Sequence, residues 1–198
     1  MALGTISYMS NTPIVPIYKD TALGFTEGAT TVNITEEWVD QMSAQTGRYP
    51  LDAYAVRGIV TCTMQLKEVR NWDVLALLFP MGEKQIDTST PPSTRFVGNR
   101  ITDATSTGYT GDKASSHWGE LKLSPVSDYD GTPANETTYD FVIPQAIPGV
   151  NGAIPFDIEA PEVLEVTFTG YFDPAATEGD YMWIRGLQTA LSGSWAAA

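Results

Sequence analysis

Hydrophobic and polar positions alternate most cleanly in RGIVTCTMQL, residues 57–66. Val60, Cys62, Met64 and Leu66 fall on one phase, and Thr61, Thr63 and Gln65 on the other. A period of two marks a strand with one buried and one wet face. EVLEVTFTGYFD, residues 162–173, repeats the pattern. Leu164, Val166, Phe168 and Phe172 stand against Glu165, Thr167, Thr169 and Tyr171. TTVNITEEWVDQMS, residues 30–43, follows it more loosely. Val32, Ile34 and Trp38 oppose Thr35, Glu37 and Gln41, while Glu36 breaks the apolar phase and marks a bulge. The wet phase carries hydroxyls and amides where an ordinary surface carries Lys and Glu. Such a sheet face suits a polar wall past which something slides.

Between the first two strands, AQTGRYPLDAYAV (residues 44–56) reads as an irregular connection. It is longer than the roughly two to five residues of an ordinary hairpin loop. After the second strand, NWDVLALLF (residues 71–79) reads as a helix. Asn71 is a good N-cap, Asp73 places negative charge at the positive end of the dipole, and Pro80 stops the helix. Trp72, Val74, Leu75, Leu77, Leu78 and Phe79 leave little polar surface, so the helix is expected to be covered on nearly all sides, plugging an end or edge of a sandwich.

Residues 80–116 are crowded with Gly, Pro, Ser, Thr and Asp and read as a long polar insert, loop except for a short strand over 95–102. Strands resume at 117–126 and 137–144, with a turn between them. Pro144, Pro148 and Pro155 then argue against regular ladder pairing.

The chain of 198 residues, 42% hydrophobic with mean hydropathy −0.12, predicts one globular domain over 1–198, mainly β, a β-sandwich with one flanking α-helix. The insert 80–116 and a C-terminal extension 174–198 decorate it. The net charge of −13 disfavours nucleic-acid binding and docking to anionic lipid. The N-terminal residues show no basic region followed by an apolar run, and no window approaches the ~20 apolar residues of a membrane span. The single cysteine, Cys62, lies on an apolar phase and reads as a buried, inert thiol of a protein folding in a reducing cytoplasm.

Candidate chemistry is sparse. His117 is the only histidine, so a Ser-His or Cys-His mechanism has no other base to use. Glu37 and Glu165 share the wet phase, but among 24 acids such a pair is expected by chance. Asp128-x-Asp130-Gly131 opens like a calcium loop, yet positions nine and twelve are Glu136 and Tyr139, so a turn fits better. The sequons at Asn33 and Asn135 have no secretion signal to give them meaning. No enzyme, cofactor or metal site is expected.

Residues 24–79 together resemble the core of the tail tube (major tail) proteins of long-tailed bacteriophages. The shared order is a strand, a loop holding Gly47 and Pro50, a polar-faced strand, then Glu68 and Asn71 opening a Leu-rich helix. VLEVTFTGYFDP resembles the last core strand of that family. The resemblance covers about half the chain.

It implies a structural virion protein assembled in the host bacterial cytoplasm. Copies form hexameric rings that stack into a tube, and neighbouring sheets join into a continuous β-barrel lining the lumen. Implied partners are the protein itself, the tape-measure protein, the tail terminator and distal tail proteins, and the genomic DNA passing at ejection; no membrane is involved. Thr35, Glu37, Thr61, Thr63, Gln65, Glu165, Thr167 and Thr169 are then expected to face the lumen. Gln45, Gly47, Arg48, Tyr49, Pro50, Asp52 and Tyr54 are expected in a loop that reaches a neighbouring subunit, anchored by Tyr49 and Tyr54 with Arg48 pairing an acid. The alternative is a carbohydrate-binding or adhesive β-sandwich of a virion or cell surface. Five Trp and nine Tyr supply stacking rings for it, among them Trp183, Trp195, Tyr109 and Tyr129 outside the clean strands.

Overall fold

A computed structural model describes residues 14–42, 50–67, 71–80, 82–89, 91–98, 117–125, 140–150, 163–172 and 182–185. The architecture is mainly β with one helix. In chain order the strands are β1 (Ile14–Tyr18), β2 (Thr21–Ala22), β3 (Thr26–Met42) and β4 (Pro50–Leu66). Then come the helix α1 (Trp72–Leu78), β5 (Glu83–Asp87), β6 (Ser93–Val97), β7 (Gly119–Pro125), β8 (Phe141–Val150), β9 (Leu164–Gly170) and β10 (Ile184–Arg185). One eight-stranded sheet runs β2-β1-β7-β8-β9-β4-β3, with β10 paired to β8; β5 and β6 form a separate ribbon. All the pairings are antiparallel.

The order of strands forces a curl. β2 and β3 lie at opposite ends of the sheet, yet only Leu23, Gly24 and Phe25 separate them in sequence. Four Cα steps of ~3.8 Å reach at most ~15 Å. A flat sheet with six spacings of ~4.8 Å would be ~29 Å wide. The sheet must therefore bend around its apolar face. It does not close, because no described ladder joins β2 to β3.

The enclosed face is the predicted one. Val60, Cys62, Met64 and Leu66 of β4 and Leu164, Val166 and Phe168 of β9 are buried together with Leu121, Ile143 and Ala146. Tyr18 crosses from β1 to reach them: its ring centroid is 5.2 Å from that of Phe168, and its hydroxyl lies 3.1 Å from the carbonyl oxygens of both Ala146 and His117.

The helix forms where predicted. The Asn71 side chain accepts from the amides of Asp73 (3.1 Å) and Val74 (3.5 Å). Only one side is fully covered: Val74, Leu75 and Leu78 are buried while Trp72 is exposed. The expectation of near-complete covering is corrected accordingly. The ribbon partners the helix, through Phe96 against Phe79 and a 2.6 Å ion pair from Lys84 to Asp73.

Several strand readings need correction. Pro50 to Val56 belong to β4, so the connection is much shorter than 44–56. The insert contains β5 and β6, although only 95–102 read as strand; seven of the ten ribbon residues are polar and none is buried, which erases the alternation. β1 and β2 were not foreseen. β8 spans Pro144 and Pro148 despite the argument against pairing there. The Tyr171 amide donates to the Gln145 carbonyl, which makes Pro148 opposite Phe168 a non-hydrogen-bonded pair. Its absent N–H therefore faces away from β9. Pro144 shares that orientation and falls at the register shift in the β7 ladder, so neither proline removes a bond to β9. Pro155, Asp128, Asp130, Gly131, Asn135, Glu136, Tyr139, Trp195, Tyr109 and Tyr129 lie outside the described residues.

The β1–β2 turn, Lys19-Asp20, has φ of 48° and 60°. Two successive positive φ values match the twist-compatible two-residue hairpin, which normally uses Asn-Gly.

Two measurements check this packing. Phe168→Ala should cost about 3–5 kcal/mol, as buried Phe truncations do. Thr167→Ala, on the opposite face with one hydroxyl contact to Thr63, should cost about 1 kcal/mol. Urea unfolding giving the reverse order would invert the face assignment. Burial also pushes the Tyr18 phenol up from 10.0 to about 12. The folded state thus prefers the neutral phenol. The stability this contributes is complete below pH 10 and is lost as pH rises from there through about 12. Tyr18→Phe should flatten that part of the alkaline stability profile relative to the parent.

Candidate functional site

Residues paired across an antiparallel ladder share a face. Thr61 pairs with Thr169, Thr63 with Thr167 and Gln65 with Glu165. On the other side of β4, Thr63 pairs with Thr31, Thr61 with Asn33, Ile59 with Thr35 and Arg57 with Glu37. All eight residues expected to face a lumen therefore lie on one face of three adjacent strands. Thr31 and Asn33 join them. Thr63 and Thr167 hydroxyls touch at 3.2 Å, linking β4 to β9 on this face. The threonines of β4 and β9 are half-buried, and Thr31 and Thr35 of β3 are exposed.

The electrostatics differ from the sequence expectation in one respect. Arg57 Nη2 donates to Glu37 Oε1 at 2.9 Å. Glu37 is thus neutralised by its cross-strand partner, and Glu165 carries no ion pair among the described residues. Lys67 similarly lies 3.4 Å from Glu27, opposite Gln65. The pairing of Arg57 with Glu37 needs the ladder register, which the sequence pattern alone does not supply.

The second feature is a projecting hairpin. β9 follows β4 only as far as Thr61, and from Val60 outward β4 is paired to β3 alone among the described strands. Eleven residues, Pro50 to Val60, at ~3.4 Å carry this two-stranded arm at most roughly 37 Å beyond the last β9 pair. Its register shifts between Glu37 and Trp38 and again between Gln41 and Met42. The first shift sits one residue beyond the predicted bulge at Glu36 and leaves Val56 as the extra residue. A third shift, between Glu27 and Thr31 at the base of β3, uses Gly28 at φ 70°.

The arm is rich in bare apolar side chains. Trp38, Val39, Tyr54 and Val56 are each more than half exposed, with Ile34 at the base. Of the residues expected in an inter-subunit loop, Pro50, Asp52 and Tyr54 are strand residues of this arm, which corrects their loop assignment. Gln45, Gly47, Arg48 and Tyr49 lie outside the described residues.

The remaining candidates carry less. Cys62 is buried and its thiol is pushed up to about 12 by that burial, so it is no nucleophile. His117 occupies the turn before β7 and its carbonyl accepts from Tyr18. Among the described residues no cluster of three or more His, Cys, Asp or Glu is placed to hold a metal ion, and no helix is long and apolar enough to cross a membrane. Trp183 is part-exposed and stacks on Phe141 at 5.6 Å. No protein-family model matches the chain, and no curated protein is significantly similar to it.

The Arg57–Glu37 pair lies in water on both sides, so its coupling should be small. A double-mutant cycle with Arg57→Ala and Glu37→Ala should give about 0.2–1 kcal/mol, falling with added salt. A coupling well above that range would mean the face is far drier than its exposure indicates.

Proposed function

We propose that the chain is a structural protein that polymerises, as the tail tube proteins it resembles do, into stacked rings forming a conduit for a phage genome. The observation that carries this reading is the projecting hairpin. A two-stranded ribbon is marginal in water by itself, and this one exposes Trp38, Val39, Tyr54 and Val56. Exposed apolar side chains on both faces of the arm, Trp38 on one and the Val39–Tyr54 pair on the other, are expected where other chains cover them. In a ring, the arm would lie on a neighbouring copy.

Two further features support the same reading. Among the described strands β3 and β2 are the two edges of the sheet, and joining edges between copies would remove both hazards while building a barrel. In that assembly each protomer is a sandwich-like unit whose hydroxyl face turns to the lumen. Thr35, Thr61, Thr63, Gln65, Thr167 and Thr169 would hydrate the wall without binding phosphate. Glu165, repeated around a ring, would add negative charge effective over about a Debye length of ~8 Å. Glu37, held by Arg57, would contribute little net charge. The tape-measure protein, and afterwards the DNA, would pass along this wall, and the terminator and distal tail proteins would cap its ends.

Negative-stain electron microscopy of the purified chain should show rings or tubes. Trp38→Ser with Tyr54→Ser should leave monomers whose urea unfolding matches the parent's within about 1 kcal/mol, as surface changes do. Those monomers should no longer polymerise. Tubes of normal length from the double variant, or a parent that stays monomeric at every concentration while binding glycans, would remove this reading in favour of an adhesive module.

A further inference from the structure

Where β9 stops, the side of β4 that had faced it opens as a notch. The notch encloses about 410 Å³, bounded by Ile34, Glu36, Gly58, Val60, Met182 and Trp183. Three kinds of chemistry meet there. The first is an open strand edge: Gly58 and Ile59 pair with β3 on one side and with no described strand on the other. Gly58 has no side chain to crowd that edge, and the Met182 sulfur would lie 3.6 Å from a Cβ added there. The second is an electron-rich ring. Trp183 is held by stacking on Phe141, with ring centroids 5.6 Å apart and planes 10° from parallel, and yet remains 40% exposed. The third is an unneutralised carboxylate. Glu36 has no ion pair among the described residues, and the nearest cation along the ladder, Arg57, lies on the opposite face and pairs with Glu37.

An open edge accepts an extended segment through main-chain bonds. An indole face attracts a cation, Arg above all, and a carboxylate beside it adds a charge-assisted bond. Ile34, Val60 and Met182 offer apolar contact for the neighbouring side chain. The charge of the whole chain chooses among occupants. With 24 acids against 11 bases, a second copy is poorly matched to an acidic notch, whereas a basic segment is drawn to it from a distance. We propose that this notch is a docking site for a short, extended, basic and apolar segment of a different protein. The proposal does not depend on polymerisation.

The test uses the full chain and a capped heptapeptide of alternating arginine and valine, with a glutamate-for-arginine peptide as control, by titration calorimetry. The arginine peptide should bind and the glutamate peptide should not. Glu36→Gln should weaken binding about fivefold and Trp183→Ala about tenfold, in line with a charge-assisted bond and a cation–π contact. Glu165→Gln, on the hydroxyl face, should leave it unchanged. Glu36 is exposed, so its variant decides the matter even if Trp183→Ala impairs folding. Four results would each overturn the proposal. These are no binding, binding weakened equally by Glu165→Gln, displacement of the peptide by chitotetraose, and self-association of the chain that Glu36→Gln abolishes.

Discussion

Everything in this molecule hangs on the register of β4 between its two neighbours. That one alignment places Val60, Cys62, Met64 and Leu66 in the core and Thr61, Thr63 and Gln65 on the opposite face. A slip of one residue would exchange the two sets, burying hydroxyls and exposing aliphatics. The register is held from both sides. Met64 sits opposite Val166 and Cys62 opposite Phe168 within the core, while the Thr63–Thr167 hydroxyl contact fixes the outer face. The apolar side supplies the energy, and the polar side supplies a surface that gains nothing from being covered.

The short passage from β2 to β3 then shapes that sheet. Because the first and last strands must stay within reach of each other, the sheet wraps its own apolar face, with α1, Phe96 of the ribbon and Met182 packed against the core. Wrapping without closing leaves β2 and β3 as edges with no further described strand beside them, and the edge at β3 continues into the arm. Core economy and surplus edge are two results of the same connectivity.

How much of this could be read from the chain depends on how far each segment obeys one rule. The inner half of β4 and all of β9 alternate strictly because one face is buried and the other wetter, and the helix announces itself through Asn71 and Pro80. The hydroxyl face was legible for the same reason. The outer half of β4 was not. Neither side of the arm is buried in the protomer, so nothing imposes alternation there, and the extra residues Leu51 and Val56 shift the phase twice. Pro144 and Pro148 misled because their effect depends on which side of the strand their missing N–H would face, a fact of pairing and not of composition. The Arg57–Glu37 pair was hidden similarly: the two residues are twenty apart, and only the ladder makes them neighbours.

The lone thiol has a practical consequence. Cys62 sits on the core face of the β4–β9 ladder opposite Phe168, wholly shielded and held protonated by its surroundings. It meets a thiol-specific reagent only when those strands part. Its labelling rate under native conditions is therefore a clock for the opening of the core between β4 and β9. No residue has to be introduced to read it, and a copy locked into a larger assembly would run that clock more slowly than a free one.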